Sequence, residues 1–329
     1  MNRRSLLSFT GLAGLGIWPG LVFGQQGRSK ILRIGRVEYG SALLPYADAI
    51  EQELRKLGYV EGRNLKTEWR WAHGNPQTLA AAAAELAELK VDIFVATATP
   101  VANAIKQATS SIPIVLSGTA IAEGAGLVQT LARPGGNVTG VTIMSPELAA
   151  KKLQMLQLLV PGVSNVGLFP YINRATPASK QLLKEIEPAA QQARIRLAVH
   201  DINQAEDLAK AFVLLKEQGA QALLVCLTPI SAENRSLIIN LTAHYRIPAL
   251  YESRVFSEVG GLISYGPNMS AVYRRSAHYI DRIFRGASPG ELPVEQPTNF
   301  ELLINQSTAN SLGIAIPREI LNAADEVID

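Results

Sequence analysis

Apolar positions along this chain follow two periods in turn. Short continuous runs, such as Ile-Phe-Val-Ala at 93–96, Ile-Pro-Ile-Val-Leu at 112–116 and Leu-Leu-Val-Cys at 223–226, are each followed by a stretch with apolar residues three or four positions apart. Continuous apolar runs alternating with amphipathic helices indicate strands buried on both faces, hence a parallel sheet covered by helices on either side. The pattern predicts strands at 31–37, 65–72, 91–96 and 112–116, with helices at 45–57, 76–89 and 100–108, the first stopped by Gly58. It then restarts. Helices are predicted at 146–159, 176–194, 205–218 and 232–245, and strands at 163–169, 195–200, 222–227, 247–250 and 261–265.

The stretch between the two alternations reads as a hinge. Arg133-Pro134-Gly135-Gly136 is a turn with one preset φ and two glycines free to take φ > 0, and 138–143 is a strand rich in β-branched residues. Ser145 then serves as N-cap with Pro146 at the first helical position. After the second alternation the chain still holds a helix at 268–285 capped by Asn268, a Gly/Pro loop at 286–290, a strand at 300–305 and helices near Ser307 and Pro317. Such a remainder is expected to recross the hinge, giving one lobe from 28–143 and 267–294 and a second from 144–266 and 295–329.

A chain of 329 residues with 47% hydrophobic and 18% charged positions is globular and long enough for two lobes. Residues 1–24 read as an export signal, with Arg3 and Arg4 before an apolar stretch at 6–23 and cleavage expected near Gly24. The arginine pair suits a twin-arginine route, and a Sec route also fits. Gly11, Gly14, Gly16, Pro19 and Gly20 interrupt the stretch, which argues against a membrane-spanning helix. Losing Arg3 and Arg4 lowers the formal charge of +3 by two, and no basic stripe marks a nucleic-acid partner. Cys226 is the only cysteine, so no intramolecular disulfide forms, and its place in an apolar run makes it a buried, inert thiol. The mature protein is expected to be a soluble periplasmic monomer.

The stretches ARPGGNVTGVT at 132–142, GGLISYGPN at 260–268, YRRSAHYIDRIFRGASPGELPVEQPTNFELLIN at 273–305 and LGIAIPREILNAADEVI at 312–328 resemble the ABC-transporter substrate-binding family that includes tryptophan- and tyrosine-binding members. The resemblance spans nearly the whole mature chain. It implies a type I periplasmic-binding-protein fold, with two Rossmann-like lobes of parallel sheet flanked by helices and joined by a multi-stranded hinge. It further implies a small ligand held between the lobes and delivered to an inner-membrane ABC permease.

In open parallel sheets ligands sit beyond the carboxyl ends of the strands, beside helix N-termini. That rule selects Glu38 and Tyr39 after the first strand, Thr97 and Thr99 after the third, and Ser117 and Thr119 after the fourth. In the second unit it selects Tyr171 and Asn173, then Thr228, then Tyr251 and Glu252. Thr99 before Pro100 is the candidate anion site, with an N-cap serving only the helix as the competing reading. Glu252 is the candidate ammonium partner, with an exposed loop glutamate as its alternative. Amino-acid-binding relatives place an acid after the strand matching LLVC, whereas this chain has Thr228-Pro229-Ile230-Ser231 and no acid before Glu233. Binding of an amino acid is thereby put in question, and a neutral or carboxylate-bearing aromatic or aliphatic compound is equally open.

Catalytic signatures are missing from the sequence: no G-x-S-x-G, Walker loop, H-E-x-x-H or C-x-x-C occurs, and the four histidines are scattered. The expectation is a binding protein with no metal and no cofactor. A secreted α/β enzyme, or a ligand sensor feeding a membrane receptor, are the alternatives. A sugar-repressor-like regulator would carry a helix-turn-helix where this chain has its export signal.

Overall fold

A computed structural model describes residues 30–41, 45–120, 123–143 and 148–329. The export signal expected at 1–24 and the Ser145–Pro146 helix start lie outside these residues. Leu32–Glu38 (β1), Leu65–Trp71 (β2), Ile93–Ala96 (β3), Ile114–Thr119 (β4) and Val138–Thr142 (β5) form one sheet in the order β2-β1-β3-β4-β5. Every pairing in it is parallel. The crossovers carry α1 (Ala49–Lys56), α2 (Pro76–Glu88) and α3 (Thr99–Ala108). All residues of β3, β4 and β5 are buried, as strands covered on both faces must be. Burying a side chain such as Phe94 contributes about 1.5–3 kcal/mol.

Local signals set the helix starts. Asn75 accepts from the amides of Gln77 and Thr78, with Pro76 opening α2, an arrangement that stabilises the helix by about 1 kcal/mol. β5 can lie against β4 because Gly140 has φ +126°, and a Cβ there would strike the Leu116 backbone.

The second sheet is built from β6 (Asn165–Phe169), β7 (Arg196–Val199), β8 (Ala222–Val225), β9 (Ala249–Tyr251), β10 (Ile263–Pro267), β11 (Phe300–Asn305) and β12 (Glu326–Ile328), in the order β12-β11-β10-β9-β8-β6-β7. Its helices are α4 (Leu148–Leu159), α5 (Pro177–Gln192), α6 (Glu206–Glu217), α7 (Pro229–Glu233), α8 (Arg235–Tyr245) and α9 (Arg254–Ser257). Then come α10 (Met269–Phe284), a 3-10 turn at Pro289–Glu291, α11 (Gln306–Leu312) and α12 (Arg318–Ala323).

Three expectations are corrected. The helix expected at 232–245 is two helices broken at Asn234, because Thr228 and Ser231 form a capping box that starts α7 at Pro229. The short α9 and the terminal strand β12 were not foreseen. The second sheet is mixed, since β11 runs antiparallel to β10.

That antiparallel pair follows from the hinge. β10 ends at Pro267, and the chain passes into α10, which packs on α1, β4 and β5 beside the first sheet. It returns at 295–300 and begins β11 where β10 ended, with Pro267 paired to Phe300 and the Asn268 amide donating to the Asn299 carbonyl. Glu295 bridges Val141, exchanging backbone bonds with Gly140 and Thr142. Several strand segments therefore pass side by side between the sheets. Two helix-flanked sheets joined by several crossing segments are the architecture that the resemblance implies.

Candidate ligand-binding cleft

Alternation along β1 places Ile34, Arg36 and Glu38 on one face. Ile34 joins the core, while Arg36 and Glu38 reach the edge of a cleft of about 380 Å³ lined by residues next to both sheets. Arg36 is buried, its guanidinium 4.1 Å above the Trp69 ring. It donates to Glu51 Oε1 at 2.6 Å and to Glu38 Oε1 at 3.1 Å, while its Nε has no partner among the described residues. Glu38 Oε2 accepts from the Thr97 hydroxyl at 3.2 Å. Burial raises the Glu38 carboxyl above its ordinary value of 4.5, against the opposing pull of Arg36 and the Thr97 bond. Tyr46 and Tyr273 meet edge to face at 5.1 Å on the cleft wall.

Thr99 borders the cleft, but it is not a cap. The extended residue before α3 is Ala98, Thr99 lies inside the first turn, and its Oγ1 accepts the Ala120 amide at 3.1 Å. Proline is tolerated throughout a helix's first turn, so Pro100 did not fix the start to one residue. The Thr99 hydroxyl thus ties α3 to the end of β4. Ser117 and Thr119 are fully buried; Gly118 between them is the β4 residue that borders the cleft.

On the other side, Tyr171 and Thr228 border the cleft, as Tyr39 and Thr97 do opposite. Asn173 is next to the lining residue Ile172 but does not itself line the cleft, its side-chain amide donating to Asn203 at 2.9 Å. Tyr251 is buried against Phe256, rings stacked at 4.8 Å. Glu252, expected on the cleft, is buried behind it: it pairs with Lys152 and accepts from the Tyr171 hydroxyl and the Leu227 amide. Its carboxylate is fully occupied by partners beside the second sheet.

Sequence reasoning passed over three charged groups that border the cleft, Arg36, Glu233 and Arg235. Arg36 and Glu38 carried a usable signal, since charges at i and i+2 in a strand covered on both faces must be paired inside the protein. Glu233 and Arg235 flank the α7–α8 break, which the sequence pattern did not reveal. The acid missing directly after β8 is therefore supplied five residues past Thr228. Glu233 Oε1 accepts the Ser41 amide at 3.0 Å, and burial together with the Glu233 charge raises the Tyr39 phenol.

The cleft thus carries two carboxylates, two guanidinium groups and tyrosine faces. The first turns of α3 and α5 also border it, and their amide groups favour negative charge. Its volume falls in the range of about 300–1,000 Å³ typical of small-molecule sites. Among the described residues, no group of three or more His, Cys, Asp or Glu side chains is placed to hold a metal.

Residues 36–328 match the family model described as ABC transporter substrate binding protein. A tyrosine-binding protein of Clostridioides difficile is 24% identical over 260 residues, covering 79% of this chain and 74% of that protein. A conserved domain protein from Vibrio cholerae superposes with a TM-score of 0.84 at 26% identity, covering 91% of this chain and all of that one. An ABC domain from Streptococcus pneumonia in complex with L-Trp superposes with a TM-score of 0.83 at 25% identity, covering 90% and 99% of the two chains.

Proposed function

The chain belongs to the ABC transporter substrate-binding protein family, and from that premise we propose that it is the periplasmic receptor of an ABC importer for a small aromatic compound bearing both a carboxylate and an ammonium. The observation that carries this reading is the charge set of the cleft. Glu38 and Glu233 offer acceptors to a cation, while Arg235 and the N-terminal turns of α3 and α5 offer donors to an anion. The tyrosines supply faces for a ring. Glu233 on the cleft wall supports an ammonium contact despite the acid-free stretch after β8. The relatives fit the same chemistry, one being a tyrosine-binding protein and another a complex with L-Trp.

Receptors of this kind act by closing, not by reacting. Binding shifts a hinge equilibrium between two lobes, and the closed form is what a permease in the inner membrane meets. No helix among the described residues is long and apolar enough to cross a membrane. The receptor we propose is a monomer released into the periplasm after cleavage near Gly24.

Mass spectrometry of small molecules released from the protein purified out of its native periplasm tests the reading. A zwitterionic aromatic compound released in stoichiometric amount is the expected result. Stoichiometric release of a compound lacking either charge, such as a sugar, would overturn it.

A further inference from the structure

Deep in the second lobe, Glu252 makes contacts that the ligand reading does not use. It follows β9 directly and is 3% exposed. One oxygen accepts from Lys152 Nζ and, at 3.1 Å, from the Tyr171 hydroxyl; the other accepts from the Leu227 amide at 3.0 Å. Tyr171 and Leu227 both line the cleft, on the loops that follow β6 and β8. One carboxylate therefore holds together three loops at the carboxyl ends of adjacent strands, and two of them form the cleft wall.

The pair also touches the route to the hinge. Lys152 lies on α4, the first helix after the chain leaves β5, and its ammonium is nearly as buried as its partner. The Glu252 carbonyl approaches Gly266 so closely that a Cβ on Gly266 would strike it, and Gly266 is in β10, one residue before that strand ends. The Tyr171 carbonyl in turn accepts the Thr176 and Ser179 hydroxyls at 2.8 and 3.0 Å, fixing the start of α5 at the cleft. An ion pair buried this completely is costly to maintain and is often replaceable by apolar residues without loss of stability. Stability alone is a weak reason for it.

We infer that Glu252, neutralised by Lys152, is a positioning residue that sets Tyr171 and the Leu227–Thr228 segment in the geometry needed to close on ligand, and couples that wall to the hinge. It touches no ligand itself. The inference rests on the reading of the cleft as the ligand site.

The test compares the whole mature protein with a Glu252→Leu/Lys152→Met double variant, in which no buried charge is left unpaired. Three readouts are followed: melting temperature, hydrogen exchange at the Leu227 amide with the Tyr171 phenol carbon resonance, and calorimetric affinity for L-tryptophan. The Leu227 amide and the Tyr171 hydroxyl lose their acceptor, so the melting temperature falls even though no charge is left unpaired. Beyond that fall, a positioning role predicts exchange at Leu227 about tenfold faster or more, a shifted Tyr171 resonance and affinity weakened about tenfold. Tyr171→Phe weakens L-tryptophan binding in the native background and adds nothing further in the double variant. A double variant with native exchange, native Tyr171 resonance and native affinity would overturn the inference.

If wild type binds neither L-tryptophan nor L-tyrosine, the ligand reading fails, and exchange and resonance still decide the positioning claim. If the double variant does not fold, Glu252→Gln decides it. Unchanged Leu227 exchange and Tyr171 resonance in that variant would contradict the inference.

Discussion

Glu233 and Ser41 are joined across the mouth of the cleft, the carboxylate accepting the backbone amide at 3.0 Å although 192 positions separate them in the chain. Glu233 follows the second sheet's strand β8, and Ser41 follows the first sheet's strand β1. Gly40 leaves room for that carboxylate, since a Cβ there would lie 2.9 Å from Glu233 Oε2. The bond spans the two walls. Glu233→Ala should therefore shift the hinge toward open forms. A charge-assisted bond at an exposed site is worth about 1 kcal/mol, or roughly a fivefold change in the open-to-closed ratio. Small-angle scattering of the ligand-free protein should show a larger radius of gyration for the variant, and an identical radius would count against the bond as a latch.

Thr99→Val separates a cleft role from a structural one. The Thr99 hydroxyl is the acceptor for the half-buried Ala120 amide, so its loss leaves that donor unpaired at a cost of about 1–3 kcal/mol. The melting temperature should fall. Stability unchanged from wild type would show that the Thr99–Ala120 bond contributes nothing to the fold.

Glu38 imposes a pH dependence with a defined sign. Its carboxyl is held above the ordinary value of 4.5 by burial, so the folded protein binds that proton more tightly than the unfolded chain. The stability this confers is fully present below 4.5 and is lost as pH rises through the raised folded value. Glu38→Gln removes this slope. The melting temperature of wild type relative to the variant should decline as pH rises from 4.5, and a parallel pair of profiles would show that Glu38 titrates normally.

A bound ammonium beside Glu38 favours its ionised form, so binding should release a proton in the same window. Affinity for L-tryptophan is then expected to strengthen with rising pH in wild type and to stay flat in Glu38→Gln. Calorimetry in buffers of different ionisation enthalpy reads the released proton directly, and no release would remove Glu38 from the cation site.

The order of strands and helices was legible because strands such as β3 and β4 must be apolar on both faces while their crossover helices are apolar on one. The strand at 300–305 and the Asn268 cap were read to the residue for the same local reasons. The antiparallel entry of β11 was not legible, since direction in a sheet depends on where the chain recrosses and not on its own pattern. Tyr39, Thr97, Thr99 and Thr228 border the cleft as the strand-end rule selects them. Ser117, Thr119 and Tyr251 lie inside β4 and β9, which run past the ends the pattern gave them, and Asn173 and Glu252 follow strands; the side chains of all five turn into the core or to neighbouring loops. The rule gives the position along a strand and leaves the direction of each side chain open. Lys152 shows the limit most sharply: beside Lys151 in the same helix, nothing in the sequence marks it as the buried one.

Titration of the mature protein with L-tryptophan, tryptamine and indole-3-propionate tests the central claim most directly, because the three share a ring and differ in which charge is present. Paired acids and bases in the cleft predict that L-tryptophan binds and that each analogue, having lost one charged contact worth about 1.5–3 kcal/mol, binds roughly 10–100-fold more weakly. Equal affinity for L-tryptophan and either analogue would contradict the account, because the cleft would then be reading only one end of its ligand.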